Sequence, residues 1–330
     1  MAVNHLGKKG MFLTFMSISI IAAVIIMFTP SDINLRKDIS VIKTRVSNVN
    51  DYILDLENVY LERTLQATGR KTIISLILYM NTSEEFLTDL QANFKEVLLN
   101  GTIENVPIDD IIGQDIMKGN TYINWTDKVK NISKNTFNVD TDFTIHDIRI
   151  YQIRPWFVNV DANISFNVSS ETASWNKNAI IKTEINIENF DDPYYLVITG
   201  GSYANKINKS DVKFDEWHIE NVSDHVGYGT YVHWENGNAP SFLMRFTEDI
   251  SASSCCGIES IVNRDKLVSL GLPADIYLSY VDYLFWTTSA GCVYTVDDIN
   301  PDNNNFDFGH LVLYNRTIGA VQICPPPPPP

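Results

Sequence analysis

An uncharged apolar run near the N-terminus constrains this chain more than any other feature. Residues 11–28 read MFLTFMSISIIAAVIIMF, and no charged residue occurs between Lys9 and Asp32. A helix of this length crosses the roughly 30 Å hydrocarbon core of a bilayer, so we predict a transmembrane helix over residues 11–29, in contact with membrane lipid. Lys8 and Lys9 lie on the short N-terminal side, which favours a cytoplasmic N-terminus and export of the remainder. We therefore expect a single-pass protein of the cytoplasmic membrane with an extracellular head.

The residues before the apolar run carry a resemblance to a known class of leader. Lys8-Lys9-Gly10, followed by Met11 and an apolar helix, resembles the class III signal of archaeal type IV pilin-like proteins. The resemblance implies that residues 1–10 are a cytoplasmic leader, cut by a prepilin-type peptidase between Gly10 and Met11. Many pilins have Glu at the fifth mature position, where this chain has Phe15. Cleavage after the apolar run is the alternative, but no A-x-A-like site follows Phe28.

Three short stretches further along are similar to segments of uncharacterised, membrane-anchored archaeal exported proteins. They are Asp191-Asp192-Pro193-Tyr194-Tyr195, Ala239-Pro240-Ser241-Phe242-Leu243 and Gly257-Ile258-Glu259-Ser260. This similarity implies a surface location and no particular activity.

A heptad-like pattern follows the predicted membrane span and predicts a long stalk helix over residues 30–80. Its apolar positions alternate at spacings of four and three: Leu35, Ile39, Ile42, Val46, Val49, Ile53, Leu56 and Tyr60. The seam either joins other copies in a coiled coil or packs against the protein's own head, as the long helix of a pilin does. Residues 73–80 are apolar almost all round, which favours packing against the head.

The remaining residues predict a helical part of the head over 81–138 and a β-rich part over 139–324. Thr82-Ser83-Glu84-Glu85 predicts the start of a second helix that ends at Asn100-Gly101, and a third, weaker helix is predicted from about Ile112 to Lys134. Period-two alternation predicts strands from 143 to 150, from 158 to 168 and at 185–187. Further strands are predicted at 228–234, 242–246 and 310–313, whereas 276–286 fits either a strand or a buried helix.

The predicted fold class is therefore α+β. A transmembrane helix continues into a long amphipathic helix, which packs with a mainly antiparallel β-rich extracellular head. Residues 325–330 are prolines, which favour an extended polyproline tail.

Acceptor patterns for N-linked sugars are about twice as frequent as the roughly four or five that chance gives. All of them lie beyond the predicted membrane span: Asn81, Asn100, Asn124, Asn131, Asn163, Asn167, Asn208, Asn221 and Asn315. This distribution predicts a glycoprotein.

The four cysteines, Cys255, Cys256, Cys292 and Cys324, fall in the last quarter of the chain, where an oxidising exterior would pair them. A bridge between adjacent cysteines is geometrically demanding. We therefore expect Cys292 and Cys324 each to pair with one member of the 255/256 doublet.

The charge and the motif content of the sequence argue against several functions. A net charge of −15 disfavours nucleic acid as a partner, because phosphate binding needs clustered basic residues. The sequence contains no G-x-S-x-G, H-E-x-x-H, P-loop or dinucleotide-binding motif. We therefore predict no catalytic residue and no cofactor.

Two stretches, one rich in histidine and one acidic, contain residue types that bind metals. The histidines at 218, 225 and 233, with acidic residues at 215, 216, 224 and 235, match no known ligand spacing. The loop 297–307 offers oxygens for calcium around Asp302, but it lacks the EF-hand pattern. We predict no metal site.

The leading hypothesis is a non-enzymatic, membrane-anchored surface protein, pilin-like in its N-terminus. It would act in adhesion or filament assembly, through self-association or pilin-like partners. The alternatives are a monomeric tethered receptor or cell-envelope spacer, and an extracellular hydrolase whose site lacks a recognisable motif.

Overall fold

The protein is seen here in a computed structural model. It describes residues 16–21, 32–170, 173–211, 219–235, 237–287, 290–296, 305–315 and 317–326. Residues 16–21 of the predicted membrane span are helical, and the rest of that span and the Gly10–Met11 junction lie outside the described residues. No helix within those ranges is both long enough and apolar enough to cross a bilayer.

A long helix begins at Asp32 and ends at Ser83. It comprises α1 (Asp32–Asp55), a π-helical turn (Leu56–Tyr60) and α2 (Leu61–Ser83). Glu84, in a left-handed conformation with a φ of 56°, closes it. The predicted long helix is therefore present, and it ends at Ser83, about one turn beyond the predicted end at residue 80.

From Val49 onward, the apolar seam of the long helix packs on the protein's own head. Val49, Ile53 and Leu56 are buried in the same core as the sheet described below. The π-turn then shifts the seam by one residue, so that Leu61 is 1% exposed and Tyr60 is 55% exposed. The prediction that Tyr60 belongs to the seam is wrong. The extra residue of the π-turn rotates the buried face of the helix, so that Leu61 takes the buried position.

Three short helices cover the side of α2. They are α3 (Leu90–Asn100), α4 (Ile108–Ile112) and α5 (Tyr122–Ile132), which continues into a π-helical segment, Ser133–Phe137. A small hairpin of β1 (Thr102–Ile103) and β2 (Val106–Pro107) joins α3 to α4.

The helix caps explain where α3 begins and ends. The predicted start at Thr82 is wrong, because the long helix continues to Ser83 and Asp89 caps α3, accepting a hydrogen bond from the Ala92 amide at 3.0 Å. The predicted stop is confirmed, since Gly101 ends the helix with a φ of 73°.

The main sheet is an antiparallel meander in the order β3-β4-β5. Its strands are β3 (Asp140–Arg154), β4 (Phe157–Ser169) and β5 (Ser174–Asn186), and they confirm the three predicted strand regions. Alternate residues of β4, from Val158 to Val168, are buried against the helices, as a half-buried antiparallel sheet requires.

Gly69 sets how closely α2 approaches the sheet. A β-carbon at this position would lie 2.8 Å from Ile185 Cδ1 and 3.7 Å from Val160 Cγ2. Glycine inside a helix costs roughly 1 kcal/mol relative to alanine. The contact between helix and sheet explains why glycine stands here.

We expect Gly69→Leu to destabilise the protein by about 1–3 kcal/mol, because the added carbons enter a filled interface. The matched control is Gly227→Leu, since a β-carbon at Gly227 meets nothing within 4 Å. The free energy of unfolding of each full-length variant in detergent, measured with denaturant, checks this. Equal stability of the two variants would contradict the close approach.

The remainder of the head, residues 187–326, is called here the C-terminal region. Its helices are short: α6 (Pro193–Ile198), α7 (Ile219–Tyr228), α8 (Arg264–Ser269), α9 (Asp282–Phe285) and α10 (Phe308–Leu313). A second sheet has the order β7-β6-β8, with β6 (Val293–Val296), β7 (Asn305–Phe306) and β8 (Ala320–Ile323). A second hydrophobic core, rich in tyrosine, holds these elements together.

Several strands predicted for the C-terminal region are wrong. Residues 310–313 belong to α10, because Asp307 caps that helix by accepting a hydrogen bond from the His310 amide at 3.1 Å. Met244–Thr247 forms a 3-10 helix instead of a strand. Between 228 and 234, α7 ends at Tyr228, and Tyr231 and Val232 form only isolated bridges.

The disulfides join Cys255 to Cys256 and Cys292 to Cys324. The expected connectivity is therefore wrong. Cys292 and Cys324 lie next to the Val293–Ile323 pair at the end of the β6–β8 ladder, with Cα atoms 4.1 Å apart. The strand register therefore places these two cysteines side by side.

Candidate functional site

A group of buried charges lies at the centre of the C-terminal region. Arg245 donates through Nη1 to Asp192 Oδ2 at 2.7 Å and to Asp282 Oδ2 at 2.9 Å, and through Nη2 to the Ile258 carbonyl at 2.5 Å. All three charged side chains are 0% exposed. Burial raises the pKa of Asp282 to about 6, although the Arg245 charge opposes that rise.

Neutral polar groups complete this arginine cluster. The Tyr231 hydroxyl donates to Asp192 Oδ2 at 2.8 Å, and the Ser260 hydroxyl donates to Asp282 Oδ2 at 3.1 Å. Asp192 also caps α6, because its Oδ1 accepts a hydrogen bond from the Tyr194 amide at 2.9 Å. The arginine cluster therefore joins five separate stretches of the sequence.

A second buried cluster is centred on Glu259, next to Ser260 of the arginine cluster. Glu259 Oε1 accepts hydrogen bonds from Trp234 Nε1 at 2.7 Å and from the Tyr314 hydroxyl at 2.9 Å. His310 bridges two carboxylates, with Nε2 3.2 Å from Glu259 Oε2 and Nδ1 2.6 Å from Asp307 Oδ2. Burial opposes a charge on His310, but the hydrogen bonds to Asp307 and Glu259 prevail and raise its pKa to about 10.

Residues 191–195, 239–243 and 257–260 meet at these clusters. The first stretch supplies Asp192, the third supplies the Ile258 carbonyl, Glu259 and Ser260, and the second leads into the turn that carries Arg245. The clusters therefore link the three stretches in space.

The chemistry of the clusters fits a structural role. The charged centres Arg245 and Glu259 are closed to solvent. The Ser279 hydroxyl donates to Asp307 Oδ2 at 2.9 Å, which fixes that carboxylate beside His310. The arrangement holds separate segments of the chain together.

We expect stability to fall as pH rises from 7 to 10. The pKa of His310 is raised from 6.5 to about 10 in the folded protein. A histidine with a raised pKa stabilises the fold fully below its unfolded pKa, and that contribution disappears as pH rises through the folded pKa. The loss between pH 7 and 10 is on the order of 3 kcal/mol.

The matched variant is His310→Gln, whose amide can still donate to Glu259 but does not titrate. Its denaturation midpoint should depend much less on pH over the same window than that of the wild type. Parallel pH profiles for the two proteins would show that His310 is not charged in the fold.

The predicted sugar acceptors differ in their surroundings. Asn124 and Asn81 are only partly exposed, and the Asn124 side chain closes the capping box of α5 with Thr121. The side chain of Asn221 lies outside the described residues. The exposed acceptors are Asn100, Asn131, Asn163, Asn167, Asn208 and Asn315.

The stretches considered for metal binding are not assembled in the described part of the chain. His225 is buried, and burial lowers its pKa to about 4, whereas Asp224 and Glu235 are exposed. Residues 215, 216 and 218 and the loop 297–304 with Asp302 lie outside the described residues. Among the residues that are described, no three His, Cys, Asp or Glu side chains are arranged so that they could hold a metal ion.

A groove lies between the long helix and α5, and the sequence does not predict it. It has a volume of about 400 Å³, and we call it the helix groove. Its lining residues are Asn48, Asp51, Tyr52, Asp55, Leu56, Tyr60, Val129, Ile132, Ser133 and Phe137. The floor is apolar, and the Tyr52 hydroxyl and Ser133 Oγ are hydrogen-bonded across it. Val129 and Ile132, three residues apart, share one apolar face of a helix, but the sequence does not show that this face stays uncovered.

No protein-family model matches this chain, and comparisons with curated proteins and with solved structures gave no match.

Proposed function

We propose that this is a non-enzymatic, membrane-anchored protein of the cell surface with a pilin-like organisation, acting in adhesion or filament assembly. The observation that carries the proposal is the long helix. Its backbone is helical from Asp32, and among the side chains of α1 that the structure describes Val49 is the first that is buried in the head. Residues 32–48 add about 25 Å of helix, at 1.5 Å per residue, on the side of the apolar run.

Two further observations support this proposal. Two disulfides in the C-terminal region are consistent with an extracellular location. The buried charged clusters link separate segments of the C-terminal region, which suits a head that works as a binding surface.

N-terminal sequencing of the protein isolated from the membranes of its native host tests the proposal. A mature chain that begins at Met11 is the expected result. A chain that retains residues 1–10 would contradict pilin-like processing. A chain that begins after residue 29 would contradict the membrane anchor.

A further inference from the structure

The helix groove exposes apolar side chains to water. Tyr60, Ile132 and Phe137 are 55%, 58% and 53% exposed, and they lie together along one opening. An apolar patch at the mouth of a groove is typical of an interaction surface.

The long-helix side of the groove is acidic. Asp51 and Asp55 line it, and neither forms an ion pair with another described residue. On the facing side, Lys130 and Lys134 are paired with acidic groups of their own chain, Lys130 with Asp127 and Asp142 and Lys134 with Asp140. The groove therefore offers an apolar floor and two carboxylates without a cationic partner in the described structure.

The complementary pattern occurs on the same chain, in residues 36–46. This segment of α1 carries apolar residues at Ile39, Ile42 and Val46, the i, i+3, i+7 spacing of a helix that lies in a groove. Its basic residues are Arg36, Lys37, Lys43 and Arg45. Of these, Lys43 is exposed.

The segment cannot reach the groove of its own chain. Residues 36–46 and the groove residues 48–60 belong to one continuous helix, and their centres are separated by about 20 Å along its axis at 1.5 Å per residue. Only the segment of another copy can enter the groove.

We propose that the helix groove binds residues 36–46 of a second copy of this chain. The inference rests on the proposed function, because it specifies one contact through which the copies of a filament would assemble. Residues 36–46 and the helix groove are different surfaces of the same chain. The contact is therefore heterologous, and it can repeat from one copy to the next. Two copies in contact are shifted by about 20 Å along their helix axes. This shift fits subunits that are staggered along a filament. It does not fit two copies at the same depth in one bilayer.

Photo-crosslinking tests the contact in the full-length protein. Benzoylphenylalanine replaces Phe137 in chains that are made in the native host as a mixture of light and heavy isotopes. The expected result is a cross-link from position 137 to the peptide of residues 36–46 with mixed isotopes, which identifies two different copies. The control places the same group at Phe308, which is also exposed but lies in the C-terminal region, and it should give no such cross-link.

Charge reversal supplies an independent test. We expect Asp51→Lys with Asp55→Lys to lower the cross-link yield at least tenfold, and Lys43→Glu with Arg45→Glu in the same chain to restore it. Asp51, Asp55 and Lys43 are exposed, so the fold should tolerate these changes.

The outcomes separate the inference from the proposed function. Cross-links to lipid, to another protein, or within a single copy, from a chain that is found in the membrane, overturn the contact and leave the membrane-anchored surface protein intact. A chain that is absent from the membrane fraction overturns the proposed function and the contact with it.

Discussion

Replacing Arg245 with methionine is expected to destabilise the head by about 3–5 kcal/mol, because it leaves two buried carboxylates without their counter-charge. Asp192 and Asp282 are both 0% exposed and both bond Arg245 Nη1. The substitution also removes the donor to the Ile258 carbonyl. A loss of this size is comparable with the whole stability of many domains.

The prediction can be checked by denaturant unfolding of the full-length protein in detergent. The control is Arg149→Met, because the Arg149 side chain is 75% exposed, and exposed ion pairs contribute about 0–1 kcal/mol. The triple variant Arg245→Met, Asp192→Asn, Asp282→Asn removes all three charges and should recover much of the loss. A single variant as stable as the control would contradict a cluster of ionised groups.

Gly257→Ala is expected to cost about 3 kcal/mol or more, since overpacking against rigid backbone lies at the upper end of such effects. A β-carbon at Gly257 would lie 2.2 Å from the Ala239 carbonyl oxygen, which is backbone and cannot rotate away. Ser241 and Gly257 form an antiparallel bridge at this point. The methyl group must therefore separate the segment before Arg245 from the segment that carries Glu259.

The matched control is Gly227→Ala, the same substitution in α7, where nothing lies within 4 Å of the added carbon. It should be neutral or stabilising by about 0.5–1 kcal/mol, because alanine favours helix over glycine. Thermal unfolding of the two variants separates the effects. A Gly257→Ala protein that unfolds at the wild-type temperature would show that the two segments are not in contact.

The main sheet and the long helix were predictable because their signals are local and long. Alternation in β4 and the heptad seam each repeat over many residues, so periodicity alone identifies them. The error at Tyr60 arises from a single π-turn, which no periodic pattern reveals in advance.

The C-terminal region was not predictable in the same way, since long-range side-chain contacts decide its short elements. The short apolar run at residues 311–313 looks like a buried strand, but the Asp307 cap makes it part of a helix. Arg245 bonds residues 53 and 37 positions away. Such partners become visible only when the chain is folded.

The buried clusters and the helix groove also depend on contacts that are distant in sequence, so the sequence alone does not predict them. The sequence Asp191-Asp192-Pro193 is typical of a turn, yet nothing local indicates that Asp192 binds a buried arginine. The helix groove likewise depends on how α5 lies beside the long helix.

Protease treatment of intact cells of the native host tests most directly whether the head lies outside a membrane that the N-terminal helix anchors. We predict that the protease removes the head from intact cells and leaves an N-terminal fragment in the membrane, with both disulfides present in the released part. A head protected in intact cells, or a full-length chain free in the cytosol with reduced cysteines, would contradict that arrangement.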